Sequence, residues 1–198
     1  MPRHVLPQAP PPPPLLIRQN RSPVPARHPA LREALAIASL DPAVRAISHV
    51  ATAPAGTAQV VEVDAVVLTR LDGRFYLDVV PARRIRSLDE EGLALIALRE
   101  LGVKQLIVTA EDLRAEPRRS NVSLVWSYKD RPVSLPLRLR ILKALADEGP
   151  MELGRLLEMI SSDADPSPAV MSLACANLLE LDLTSEPLGP STMVRYRT

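Results

Sequence analysis

Cysteine, aromatic side chains and long apolar runs are all scarce in this sequence of 198 residues. Its one cysteine, Cys175, excludes a disulfide framework and is typical of a reducing compartment. No cluster of cysteine and histidine has the spacing of a structural zinc site. The chain also lacks the roughly 18 consecutive apolar residues of a membrane span, and prolines interrupt its N-terminus. We therefore expect a cytoplasmic protein without a signal peptide or a transmembrane helix.

The sequence does contain enough aliphatic side chains to build a core. Hydrophobic residues make up 46% of the chain and aromatic residues only 3%, so Leu, Val, Ile and Ala must form most of that core. Lysine and arginine total 24 against 23 acidic residues, which gives a net charge of +1. This balance lacks the basic excess of a protein that binds DNA tightly and nonspecifically.

Residues 1–28 have the composition of a tail. They contain the proline run Pro10–Pro14 and four arginines, but no acidic residue. Polyproline segments are extended and do not pack into a core, so we predict a disordered tail. A ligand for a proline-recognising partner is the alternative.

Residues 29–133 show helical and extended patterns in alternation, which predicts a mixed α/β domain. Proline at a helix start, capping residues and apolar periodicity identify the elements. In chain order they are a helix from Pro29, a short helical turn from Asp41 to Ile47, strands at 61–67 and 75–80, a helix at 88–101, and a buried strand at 104–109. The last strand follows a helix, so we expect it to pair in parallel with a strand of the hairpin.

The register of the predicted hairpin decides where two aspartates lie. If the apolar face of each strand points to one core, Val67 lies opposite Leu77 and the loop is Leu71-Asp72-Gly73, with its glycine left-handed. In this register Asp64 and Asp78 occupy neighbouring positions on the face away from the core. A solvent-facing sheet surface is the alternative explanation for both carboxylates.

Residues 134–198 predict a helical module that ends in a hairpin. Leucine-rich patterns indicate helices at 137–147, 151–160 and 167–181, and Met193–Tyr196 supplies a terminal strand. Three helices and a hairpin are typical of a winged helix. The third helix carries no basic residue, so we expect the winged helix to bind a protein partner or to dimerise rather than to read DNA bases.

Over residues 29–198 the chain resembles the TnsA-type transposon endonucleases, whose N-terminal domain has the PD-(D/E)xK nuclease fold. The resemblance rests on the order and spacing of several short segments, which are Leu40–Arg45, Val63-Asp64, Leu71–Arg74, Tyr76–Pro81, Val108–Arg114 and Asn121–Tyr128. It implies a mixed α/β fold, with a restriction-endonuclease-like core at 29–133 followed by an all-α, winged-helix C-terminal domain at 134–198.

The same resemblance implies a set of catalytic residues. The family's acidic positions fall on Glu33, Asp64 and Asp78, and the last two would hold Mg²⁺, which polarises phosphate and acidifies water. For Glu33 an ordinary surface position on its helix is the alternative. The motif lysine falls on Val80, which supplies no charge, and the loss of one such group costs about 100- to 1,000-fold in rate. The resemblance therefore implies weak or absent cleavage.

Arginines cluster after the second aspartate and again beyond the last strand. We expect Arg83, Arg84 and Arg86 to contact DNA phosphates, with a solvated loop as the alternative. The same two interpretations apply to Arg114, Arg118 and Arg119. The first functional hypothesis is a nuclease-fold protein of a transposition or mobile-element system that binds DNA and cuts it poorly or not at all. The second is a noncatalytic regulatory or scaffold protein whose winged helix binds protein partners.

Overall fold

The computed structural model describes residues 24–56, 59–160 and 165–197. Within these ranges the first part of the chain forms α1 (Pro29–Leu40), β1 (Val44–Ala55), β2 (Gln59–Arg70), β3 (Gly73–Val79), a 3-10 turn (Val80–Ala82), α2 (Leu88–Glu100) and β4 (Lys104–Val108). The second part forms α3 (Ala110–Arg114), α4 (Arg118–Trp126), α5 (Leu135–Glu148), β5 (Met151–Glu152), α6 (Leu153–Met159), α7 (Ser167–Cys175), β6 (Leu179–Leu181) and β7 (Met193–Tyr196). The prediction of a mixed α/β fold is confirmed.

The larger sheet has the strand order β1-β2-β3-β4. Strands β1, β2 and β3 pair antiparallel, and β4 pairs in parallel with β3, as predicted. We expected β4 to be buried, and this prediction is wrong. Strand β4 lies at the edge of the sheet, and Ile107 is half exposed. Helices cover both faces of the sheet: Val66 and Leu68 pack in a cluster with α1, and Ala65 and Val67 pack in a cluster with α2.

Local signals at the helix starts explain why α1 and α2 form where the sequence predicts them. Pro29 occupies the first turn of α1. Ser87 and Glu90 form a reciprocal capping box at the start of α2. Helix α2 buries Ala94 and Leu98 against the sheet, whereas Ile96 is half exposed.

The helical turn predicted after Asp41 is wrong, because the long strand β1 begins at Val44. The carboxylate of Asp41 accepts the N–H of Ala43 at 2.8 Å, which closes a tight turn instead of capping a helix. Aspartate before proline suits both a helix start and a turn, and the strand that follows decides between them.

The predicted register of the hairpin is also wrong. The loop has two residues, Leu71 and Asp72, and Gly73 pairs with Arg70 so that Val67 lies opposite Tyr76. Gly73 has a φ of +139°. Because glycine adopts this conformation more readily than other residues, Gly73 can pair with Arg70 at the end of the strand. The prediction assumed one buried face on each strand, and β2 is buried on both.

A β-bulge interrupts β2 at the first aspartate. Val50 pairs with Ala65 and Thr52 pairs with Glu62, so two residues of β2, Val63 and Asp64, lie opposite one residue of β1. Asp64 has a φ of +44°, the left-handed conformation that aspartate tolerates better than most residues. Such a bulge redirects a side chain relative to the regular alternation of the strand.

The second part of the chain contains a small sheet with the order β5-β7-β6. The predicted helices at 137–147 and 151–160 correspond to α5 and to β5 with α6. The third helix ends at Cys175 and not at Leu181, because Asn177 takes a left-handed φ of +58° and residues 179–181 form β6. Met193–Tyr196 forms β7, which pairs with both neighbours.

The two parts of the chain share one hydrophobic core. Ala36 and Leu40 of α1 belong to the same buried cluster as Val125 of α4 and Val170 of α7. Helix α4 is therefore part of the core. No helix in the described part of the chain has both the length and the apolar character needed to cross a membrane.

The residues just before α1 belong to the core and not to a tail. Val24 and Ala26 are buried in the cluster between α1 and the sheet. The rest of the predicted disordered tail, residues 1–23, lies outside the described residues.

Candidate functional site

Asp64 and Asp78 line one cavity of about 560 Å³. Its walls include residues 63–66 of β2 and 76–79 of β3. The pairing of these two strands ends at Val67 and Tyr76, so the cavity lies where the strands separate. The segment that follows β3, residues 82–88, contributes a further wall. The two aspartates therefore meet in one cavity, although neither occupies the cross-strand position that the predicted register gave it.

Asp78 is held by a bidentate ion pair with Arg83. Its Oδ1 accepts from Arg83 Nε at 2.8 Å, and its Oδ2 accepts from Arg83 Nη2 at 2.6 Å. Gln105 of β4 donates to the same Oδ2 at 2.6 Å. The side chain of Asp78 is 11% exposed, so this paired guanidinium is its main source of stabilisation in the ionised form.

The pKa of Asp78 lies below its ordinary value. The largest cause is the hydrogen bonding from Arg83, which favours the carboxylate. Burial raises the pKa of Asp78, and the hydrogen bond from Gln105 lowers it again. Asp78 is therefore an anion whose charge is already matched by a neighbouring cation.

Asp64 has two partners of its own. Its Oδ1 lies 2.7 Å from His49 Nε2, and its Oδ2 accepts from Arg84 Nη1 at 3.2 Å. The same Arg84 nitrogen donates to Glu62 at 2.6 Å. The bulge in β2 thus places the Asp64 carboxylate between a histidine on β1 and an arginine on the segment after β3.

Two of the arginines predicted to contact DNA are engaged with these acids, and the third is held by the backbone. Arg83 pairs with Asp78, and Arg84 pairs with Glu62 and Asp64. Arg86 donates to the backbone carbonyl of Val63 at 2.8 Å. Arg86 also lies 3.8 Å from a carboxylate oxygen of Glu91. A phosphate that approached this segment would therefore compete with a carboxylate for each of the three arginines.

Glu33 lies apart from the two aspartates. It lines a different cleft, between α1 and α4, where its Oε1 accepts from Arg119 Nε at 3.0 Å. The structure thus brings together two of the three predicted acidic residues. Val80, at the motif lysine's position, begins the 3-10 turn after β3.

The carboxylates as arranged do not fit a divalent cation. Magnesium needs near-octahedral oxygen ligation, whereas every oxygen of Asp64 and Asp78 already has a protein partner. Binding would require the displacement of two guanidinium groups. Among the described residues no group of three or more Asp, Glu, His or Cys has a geometry that could hold a metal ion.

Among the cavity residues that the sequence did not single out are three polar ones. His49 and Gln105 contact the aspartates from β1 and β4, and Tyr76 lines the same cavity. Burial raises the pKa of Tyr76, and the charge of Asp78 adds to the rise. Gln105 pairs with Tyr76 across the parallel ladder, so only the strand register could have indicated its place.

No protein-family model matches the chain, and the search of curated proteins found no match either. The geometry of the residues themselves therefore carries the functional argument.

Proposed function

We propose that this protein is a nuclease-fold protein of a transposition or other DNA-processing system, and that it binds DNA without cutting it. The order of elements supports a restriction-endonuclease-like core: a helix, three antiparallel strands, a second helix and a strand parallel to the third. The helices and three-stranded sheet after residue 134 agree with a winged-helix module.

The observation that carries the proposal is the pairing of both aspartates with arginines. Hydrolysis of a phosphodiester needs free carboxylate oxygens to hold a metal and a group to activate water. Here Arg83 occupies Asp78 and Arg84 occupies Asp64, and arginine does not accept protons at physiological pH. Acidic residues therefore occupy the positions that a nuclease would use, but the protein's own arginines neutralise their charge.

The burial of α7 is evidence against the recognition of DNA bases by the C-terminal module. Residues 169–175 of this helix are all buried, so the helix cannot enter a DNA groove. A helix buried in this way offers no face to a protein partner either. Large apolar side chains that are exposed elsewhere in the module, Leu135 and Leu139 of α5 and Met193 of β7, favour as a second candidate function a noncatalytic regulatory or scaffold protein whose C-terminal module binds protein partners.

The experiment that separates the two candidates is fluorescence anisotropy with labelled duplex and single-stranded DNA across a range of salt. The proposal predicts a dissociation constant of about 10⁻⁴ to 10⁻⁶ M, which increases as the salt concentration rises from roughly 50 to 200 mM. A protein that leaves the anisotropy unchanged even at the lowest salt would overturn DNA binding and support the scaffold candidate.

A further inference from the structure

The cleft that contains Glu33, which we name the α1–α4 cleft, is larger than the aspartate cavity. Its volume is about 960 Å³. Its lining side chains are Arg32, Glu33, Ala36 and Ile37 of α1, with Arg119, Ser120, Val122, Ser123, Leu124, Trp126, Ser127 and Lys129 from α4 and the turn after it. None of these residues lines the aspartate cavity.

The α1–α4 cleft carries excess positive charge. Arg32, Arg119 and Lys129 are its cations, and Glu33 is the one acid among the described residues that line it. Glu33 pairs with Arg119. The Arg32 guanidinium makes no hydrogen bond or ion pair with any residue that the structure describes. Lys129 contacts Asp130, whose side chain is 86% exposed and lies outside the lining.

The charges that line the aspartate cavity balance, with Arg83, Arg84 and Arg86 against Asp64, Asp78 and Glu91 among the described residues. Its cations Arg83 and Arg84 face Asp78, Asp64 and Glu62 at hydrogen-bonding distance. A phosphate that entered there would meet two carboxylates in a partly desolvated space, where like charges repel strongly. Between the two surfaces, the α1–α4 cleft is the one that attracts an anion.

The polar groups of the cleft suit a phosphodiester backbone. Ser120, Ser123 and Ser127 recur at spacings of three, four and seven, so they lie along one side of α4. Serine hydroxyls, arginine and lysine are the side chains that most often donate to DNA phosphates. Trp126, half-buried beneath Lys129, adds an aromatic surface of the type on which unpaired bases stack.

We propose that the α1–α4 cleft is the surface on which this protein holds DNA, with Arg32, Arg119 and Lys129 contacting phosphates. This inference rests on the proposed function, because it names the DNA-contacting surface and replaces the segment with Arg83, Arg84 and Arg86. Glu33 then acts as a positioning residue that fixes Arg119, and not as a metal ligand.

The test is anisotropy of the full-length protein with labelled DNA, comparing wild type with the double substitution Arg32→Ala and Lys129→Ala. We expect the double variant to bind about tenfold more weakly and to lower the salt slope by about two. The matched control is Arg83→Ala with Arg84→Ala, which removes the same charge and is expected to bind within twofold of wild type. Circular dichroism establishes that both variants are folded, and Arg32→Gln alone is a milder second variant.

Trp126 is the only tryptophan of the chain, so its fluorescence reports on the cleft directly. We expect DNA to quench or shift this emission, and inorganic phosphate to do so only at far higher concentration. Equal responses to phosphate and DNA would overturn the proposal in favour of a small-anion site. A response to polyglutamate and not to DNA would overturn it in favour of an acidic protein partner.

The failure of this inference differs from the failure of the proposed function. If wild type binds DNA and the control variant loses that binding while the cleft variant keeps it, the cleft assignment is wrong and DNA binding stands. If wild type binds no DNA under any salt condition, both fall.

Discussion

At the scale of single residues, the carboxylate of Asp78 reports on its ion pair with Arg83. Because the hydrogen bonds from Arg83 are the largest cause of its lowered pKa, Arg83→Ala should raise that pKa, with burial now the main influence. Carbon-detected NMR titration of the carboxylate measures this change. Arg84→Ala is the control, since Arg84 contacts Asp64 and leaves the Asp78 titration in place.

The same ion pair makes a pH-dependent contribution to stability. A carboxyl group whose pKa is lower in the folded state stabilises the fold above its ordinary pKa, near 3.9. That contribution is lost as the pH falls through the lower folded-state value. We expect the free energy of unfolding of Arg83→Ala to fall less steeply in this acidic range than that of wild type. Urea denaturation at several pH values measures this dependence. If the free energy of unfolding changed with pH equally in Arg83→Ala and in wild type, the role of Arg83 would be contradicted.

Glu33 offers a second test among the residues, because two roles predict opposite results. If it positions Arg119 in a DNA-binding cleft, Glu33→Gln removes the one negative charge that the described residues contribute to the lining and should strengthen DNA binding severalfold. If it were a metal ligand of a nuclease, the substitution would weaken Mg²⁺-dependent binding or leave binding unchanged. Anisotropy with and without Mg²⁺ distinguishes the two.

At the scale of elements, two glycines make a matched pair. Gly73 has a φ of +139° in the hairpin, a conformation that side chains of L residues rarely adopt, whereas an added Cβ would make only an ordinary contact of 3.7 Å with the ring of Phe75. Gly73→Ala should therefore destabilise the fold by about 1–3 kcal/mol. Gly92 lies inside α2, where an added Cβ meets no atom within 4 Å.

Gly92→Ala should accordingly stabilise the protein, by about 0.4–1 kcal/mol, because alanine suits a helix interior. Thermal unfolding of both variants against wild type measures the difference. Equal effects of the two substitutions would contradict the backbone conformation assigned to Gly73.

The elements that the sequence predicts well are those with local signals. The capping box of Ser87 and Glu90 and the apolar periodicity of α5 are readable within one or two turns. Strand β1 was missed because Asp41-Pro42 imitates a helix start. Helix α4 was missed because its polar side lines a cleft, which hides the pattern of a core helix.

The aspartate cavity could be predicted only in part, for the same physical reason. The sequence singles out Asp64 and Asp78, but their partners come from other strands whose register depends on packing across both faces of the sheet. The bulge at Asp64 is invisible to a simple alternation rule, since it adds one residue to β2 without changing the apolar pattern of 61, 63, 65 and 67.

At the scale of the whole molecule, Arg197 ties the C-terminal strand region to the beginning of the large sheet. Its guanidinium donates to the carbonyls of Asp41 and Val44 and to Asn177 Oδ1, and its side chain is 7% exposed. Burial lowers the pKa of Arg197. These contacts, with the core shared by α1, α4 and α7, explain why the two parts of the chain pack as one body.

Arg197→Met should cost about 2–4 kcal/mol of the free energy of unfolding, because it removes the hydrogen bonds that this buried guanidinium donates to two carbonyls and to Asn177. Its neighbour Arg195 pairs with Glu180 from a mostly exposed position, and Arg195→Met should cost less than about 1 kcal/mol. Urea denaturation of the two variants provides the comparison. Similar losses would mean that Arg197 does not join the two parts.

We propose that arginines neutralise a nuclease-like arrangement of acids in this protein, which therefore holds DNA without cleaving it. A gel assay of supercoiled plasmid with the protein and Mg²⁺ or Mn²⁺ tests DNA binding and the absence of cleavage in one experiment. We predict a plasmid that is retarded by bound protein and returns fully supercoiled after the protein is removed. An open-circular product that requires the metal and disappears in Asp64→Ala and Asp78→Ala would contradict the account.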